Sequence, residues 1–347
     1  SSHASAHVCG QCHSVRMYRE SPQVISERGH SYRPGGDLDQ THDVWQRDSE
    51  AVREFIASRH FPDGEDQALR SVFWDDGMVR VAGREFNGML DSACYVRGEM
   101  SCLSCHSMHQ DESDERELKE WANDQLAVDA LGDEACTKCH TAGQYGPLHT
   151  HHSPESAGSR CYNCHMPHTT YGLLKAIRSH TIVSPDIARD TDARRPNACN
   201  LCHLDQTLQW SAAKLHDWYG SPIPEFTEEQ ATIAASVLWL LKGDAGLRAL
   251  AAWNMGWTDA QSASGNDWIA PLMARTLNDP YPAVRLIAQR TMRSLPYFSQ
   301  FQFAALADEQ ERKRAILDAI GRWEQGERQR DANPQIMLDA DGSQGDR

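Results

Sequence analysis

The sequence predicts a mainly α chain in two parts: a loop-rich part with short helices and a small β-hairpin, then an α-helical domain of HEAT-like repeats. Three observations predict this. Up to about residue 205 the chain is rich in Gly, Pro, Asn, Asp and Ser and has few long apolar periodic stretches. A five-residue pattern, Cys-x-x-Cys-His, occurs five times in that part. Beyond it come successive amphipathic segments with apolar residues at i, i+3, i+4 and i+7, punctuated by Gly or Pro.

The five copies are CGQCH (Cys9, Cys12, His13), CLSCH (Cys102, Cys105, His106), CTKCH (Cys136, Cys139, His140), CYNCH (Cys161, Cys164, His165) and CNLCH (Cys199, Cys202, His203). Histidine is 17 of 347 residues, so five CxxC pairs each followed by His would coincide by chance roughly three times in ten million. Two thiols three positions apart lie on one side of a helical turn and can form thioethers with the two vinyl groups of one haem. The adjacent imidazole then ligates the iron. Zinc knuckles come in pairs and need no His after the second Cys, and five is odd. A disulfide scaffold belongs to small stapled domains. The spacing therefore predicts five haem c groups, with ten thioether cysteines and His13, His106, His140, His165 and His203 as proximal iron ligands.

In the first part, a pentahaem cytochrome c domain over 1–205, residues 49–59 and 114–130 read as helices. SVFWDDGMVRV at 71–81 reads as a hairpin with Asp76-Gly77 at the turn. The HEAT-like domain spans 206–325, with helical segments at 204–220, 228–243, 245–257, 267–280, 281–296 and 308–323. Two of these flank Asn278-Asp279-Pro280-Tyr281-Pro282 and resemble a HEAT repeat, whose helices stack apolar faces on neighbours. The tryptophans there (Trp239, Trp253, Trp257, Trp268) read as core. A polar tail, 326–347, completes the chain. Asp339, Asp341 and Gly342 in it read as solvated acidic residues, and the odd Cys94 as a buried free thiol.

Haem iron that only transfers electrons is usually six-coordinate, with a second His or a Met opposite the first. Twelve other histidines are available: His3, His7, His30, His42, His60, His109, His149, His151, His152, His168, His180 and His216. In CLSCHSMH, His109 follows His106 by three positions and lies on the same side of the turn. The porphyrin that His106 serves would separate it from that iron's far face, so its nearest reachable iron belongs to another haem. CYNCHMPH repeats the arrangement with His165 and His168.

The tract HTHHSPESAGSRCYNCHMPHTTYGLLKAIRSHTIVSPDIARDTDARRPNACNLCH resembles multihaem cytochromes of the group that includes nitrite-reductase-like and hydroxylamine-oxidoreductase-like proteins. The match is to a bacterial branch with a C-terminal helical repeat domain, over roughly residues 5–295. The resemblance implies distal iron-ligand roles for His7, His109, His149, His152 and His180. His168 departs from what that branch implies after CHMP and is held in reserve.

The formal charge of -15 argues against nucleic acid and anionic membrane surfaces as partners, and no apolar run is long enough to span a membrane. SSHASAH reads as a mature N-terminus after signal removal, since c-type haem is attached outside the cytoplasmic membrane. The protein is thus expected to be exported, periplasmic or extracellular. Expected partners are redox donor and acceptor proteins or an extracellular acceptor, and further copies of the chain, joined through haem–haem contacts into a nanowire-like filament. His3 or His7 would ligate across such a boundary, and the tail would sit at a subunit contact. The expected function is electron transfer, with no catalytic residue. The alternative is a reductase with one open iron acting on a small nitrogen or sulfur compound, although the CxxCK motif that holds the catalytic haem of the nitrite reductases is missing.

Overall fold

The structure, a computed structural model, describes residues 2–62, 64–141, 145–326 and 334–336. The chain is mainly α. Its only strand pairs among the described residues are two short antiparallel ones, Arg16–Tyr18 with His42–Val44 and Thr170–Gly172 with Lys175–Ile177. It divides into two compact units, Ser1–Met166 with Ser179–Ser184, and Pro167–Arg178 with Pro185–Arg347. The fifth motif, grouped by composition with the other four in 1–205, falls in the second unit. The reason is local: Asn200, fully buried inside that motif, donates to Gln206 O (2.8 Å) and accepts from Ser211 Oγ (2.7 Å), on the residues that lead into the next helix.

The first unit is made of short helices joined by long irregular stretches. Ser49 caps Glu50–Ala57 by accepting from Val52 N, as the amphipathic pattern at 49–59 leads one to expect. The 71–81 hairpin is present as a Phe73–Val79 bridge. Trp74 N donates to Met78 O at 2.7 Å, and Gly77 holds the turn at φ 88°. The helix expected over 114–130 is only Leu118–Asp124. Asp114 turns back to grip Arg116, and Gln125 ends the helix in the left-handed region. Residues 125–127 then pair with 105–107, Ser107 N to Gln125 O and Ala127 N to Cys105 O, both at 2.9 Å. Tertiary pairing overrides helical periodicity there. One apolar cluster of the unit is Ala6, Tyr32, Leu38, Phe86, Met89 and Tyr95, and Val52, Ile56, Phe73, Trp74, Met78, Val79, Trp121 and Ala130 are buried in the unit as well.

The second unit holds a continuous core running from Leu201 to Ile336. Helices Ala235–Lys242, Ala245–Asn254, Ile269–Thr276, Pro282–Arg293 and Glu309–Gln325 pack on one another to form it. The segment 228–243, expected as one helix, breaks at extended Ile233. Ala234 and Ala235 give their N–H groups to Gln335 O and Gln206 O instead. Between Ile269–Thr276 and Pro282–Arg293, Arg248 grips Asp279 with two bonds of 2.6 and 3.0 Å. The expectations for Asp339, Asp341, Gly342 and most of 326–347 lie outside the described residues.

Candidate functional site: the Cys-x-x-Cys-His turns and their facing histidines

Each motif is a tight turn in which the His N–H returns to the carbonyl of the first Cys: His13 to Cys9 (2.9 Å), His106 to Cys102 (2.9 Å), His140 to Cys136 (3.0 Å) and His203 to Cys199 (2.8 Å). CYNCH forms a helix of its own, Cys161–His165. That turn brings two thiols and one imidazole to the same side. No disulfide joins any of the eleven cysteines. Burial, then the neighbouring Cys9, pushes the Cys102 thiol up to about 12, and burial followed by Asp133 does the same to Cys161. Among the described residues no group of three or more His, Cys, Asp or Glu is arranged around a single ion.

The first four motifs lie beside one another in chain order. Their thiols lie close enough to influence one another: Cys9 bears on Cys102, Cys136 on Cys105, and Cys161 on Cys136. Cys94, expected as a buried thiol, is half-buried and close enough to Cys105 and Cys136 to influence both.

The imidazoles of His13, His106 and His165 have their Nδ1 occupied. His13 Nδ1 meets Glu85 Oε2 at 2.8 Å, His106 Nδ1 meets Asp124 O at 2.9 Å, and His165 Nδ1 meets Val183 O at 3.0 Å. A carbonyl or carboxylate can only accept, so each imidazole donates from Nδ1 and presents an Nε2 lone pair. Glu85's bond raises His13 above the ordinary imidazole value against the effect of burial, whereas burial lowers His165. Burial alone would raise Glu85. Its bonds from His13, its own backbone and Gly83 outweigh that and hold its carboxyl at about 2.

Two of these imidazoles face a second one. His106 and His180 have ring centres 6.2 Å apart and planes 17° from parallel; His165 and His149 are also 6.2 Å apart, at 1°. Two imidazoles bound through nitrogen to opposite faces of one metal, with bonds of about 2 Å and ring centres roughly 1.1 Å farther back, would stand about 6.3 Å apart. The chain thus sets both pairs at the span of a bis-imidazole metal, and a haem fits the donor set. His149 is placed by the short helix Pro147–Thr150, which His151 ends at φ 55°. His180 is placed by Ser92, whose Oγ donates to His180 O (2.8 Å) and accepts from Ile182 N (2.9 Å). One stretch of four residues therefore carries the ring opposite His106 and, at Val183, the carbonyl that orients His165.

The remaining candidates are placed differently. His109 is exposed, its carbonyl taken by Ser107 Oγ. His152 is half-buried against Gly158 and uses Nδ1 on its own Thr150 O (2.6 Å). His7 accepts Leu38 N–H on Nδ1 at 3.2 Å, which puts its proton on Nε2, the reverse of the tautomer a ligand presents. His3 keeps a buried Nε2 with no hydrogen-bond partner, its ring 4.2 Å from Tyr95. His168 packs between Trp253 (4.8 Å) and Trp257 (4.9 Å) and is 8% exposed, so it belongs to the second unit's core. His203 lies 5.0 Å from Trp210, and the exposed His140 meets Tyr145 edge-on at 5.5 Å. Tyr145 also stands 5.1 Å from His149. Sequence reasoning missed Glu85 and the two carbonyl acceptors; a backbone carbonyl has no sequence signature at all.

No family model matches the chain, and no curated protein does. Among solved structures, the crystal structure of the outer cell wall cytochrome OcwA is similar at 16% sequence identity and a TM-score of 0.38. The match covers 83% of this chain and 64% of that one. The chain therefore spans less than two thirds of the OcwA chain's length.

Proposed function

We propose that the chain is an electron conduit that carries five haem c groups on its Cys-x-x-Cys-His motifs, mostly or all bis-histidine, and that it is exported. The observation that carries this reading is the pair of imidazole couples, His106 with His180 and His165 with His149, each at 6.2 Å and each built on a motif histidine. Haem, when bound, supplies the one-electron chemistry. The motif cysteines would tether it through thioethers, the Nδ1 partners of His13, His106 and His165 fix those imidazoles' tautomer, and His180 and His149 would supply the second imidazole at two of the motifs. Adjacency of the first four motifs supports passage from one to the next. A finer part of the proposal is that copies polymerise into an extracellular filament. Support for it is the exposed turn Leu103, Met108 and His109, an apolar surface with an imidazole beside one motif.

Intact mass with a pyridine haemochrome assay should give five haems per chain, and the ferric absorption spectrum should be wholly low-spin. A high-spin band would favour the reductase with one open iron, and fewer than five haems would overturn the stoichiometry. Electron microscopy of purified material showing only discrete particles would overturn the filament.

A further inference from the structure

The three Nδ1 acceptors differ in charge. His106 and His165 donate to neutral backbone carbonyls, while His13 donates to a carboxylate. Glu85 is fixed in that role from several sides. Its Oε1 accepts Gly83 N–H at 2.8 Å, the next residue, Phe86, gives its N–H to His13 O at 2.9 Å, and Asn87 Oδ1 accepts Val15 N–H at 2.6 Å. Residues 85–87 are thereby laced to 13–15, and the Gly83 N–H bond holds the orientation of the carboxylate toward Nδ1. A carboxylate on Nδ1–H draws the proton toward itself and makes Nε2 a stronger donor than a carbonyl does. A stronger axial donor favours the ferric over the ferrous state.

We propose that Glu85 is a positioning residue that lowers the reduction potential of the haem at Cys9, Cys12 and His13 below the value a neutral acceptor would give. The inference rests on the haem reading above. It gives the conduit an asymmetry, with a more reducing group beside the Cys102 motif.

The test is a spectropotentiometric titration of the full haem-loaded protein. Glu85→Gln keeps an acceptor oxygen and removes the charge. One of the five reduction waves should move upward by about a tenfold change in ferrous-to-ferric ratio at fixed poise, 59 mV for one electron, with a shift in one ferric low-spin resonance. Glu85→Asp, which keeps the charge but draws it back, should move the same wave by a smaller step. Asp37→Asn removes a carboxylate 3.6 Å from His7, on the helix Ser2–Gly10 that also carries Cys9, without touching His13, and should move that wave far less. An unmoved wave in Glu85→Gln and Glu85→Asp with haem present on the Cys9–His13 peptide would overturn the role of Glu85 alone. Equal shifts in Glu85→Gln and Asp37→Asn would overturn the hydrogen-bond mechanism. No haem on that peptide would overturn the haem reading with it.

Discussion

His149 and His168 lie within one short stretch of a histidine-rich tract, yet they do different things. His149 faces His165 across 6.2 Å, while His168 is enclosed by two indoles. If His149 closes an axial position, His149→Ala should convert about one fifth of the ferric haem to high spin, one of the five irons having lost its strong-field ligand. His151→Asn, at an exposed neighbour, should leave the spectrum unchanged. His168 makes a different prediction. Burial first, then Arg178, hold it well below the ordinary imidazole value, so it stays neutral when folded. Its folded value is depressed, so below about 6.5 the unfolded chain binds a proton that the folded chain refuses. Its stabilising contribution is complete above that pH and is lost as pH falls, by up to about 1.4 kcal/mol per unit until the folded value is reached. Thermal melts followed by tryptophan fluorescence should show the loss between pH 7 and 5, and His168→Phe should flatten it. An equal slope in the variant would assign it to other groups.

At the level of elements, the decisive contact is the crossing of helix Glu85–Leu90 by the 179–184 segment. A Cβ on Gly88 would lie 2.8 Å from Thr181 N and 3.0 Å from His180 C, both backbone atoms that cannot yield as a side-chain end can. Gly88→Ala should therefore push His180 off its position opposite His106, at a cost of about 1–3 kcal/mol. A new high-spin fraction with haem content unchanged would check it; an unaltered spectrum would mean that the crossing relaxes elsewhere. Nothing in the sequence pairs His180 with His106, because the segment reaches it only through this crossing and the hold of Ser92. The motifs themselves are legible, since one turn fixes all three of their functional side chains. The second unit's helices are legible for a similar reason: apolar spacing reports burial when neighbouring helices supply the partners. Where partners come from far along the chain, as at 125–127 against 105–107, periodicity overstated the helix. His168 occupies the same position after its motif as His109 does after CLSCH, and only packing tells the buried one from the exposed one.

Across the whole molecule the two units bury apolar surface very unequally. The second has a continuous core with Leu204, Met255, Ile269, Leu272, Met273, Leu277, Phe298 and Phe301 fully enclosed. The first spreads four motifs over a chain of similar length, with fewer and more scattered buried apolar residues, among them Leu38, Phe73, Trp74, Phe86 and Met89. Ordering each residue costs on the order of 1–2 kcal/mol in backbone entropy, and small cores alone do not offset that. In the proposed holoprotein, porphyrin faces would supply the missing apolar surface and thioethers would tie it to the backbone. The fifth motif is the exception, since Asn197, Asn200 and Ser211 set its turn through buried hydrogen bonds within the second unit. Expression in a host without c-type haem attachment should therefore separate the units. Limited proteolysis is expected to digest the first and leave a protected fragment beginning between residues 167 and 185, with its tryptophans still buried. Haem-loaded protein under the same protease should stay intact through residue 166. Equal resistance of both units without haem would show that the first folds on side-chain packing alone, and that the haem faces are not what completes its core.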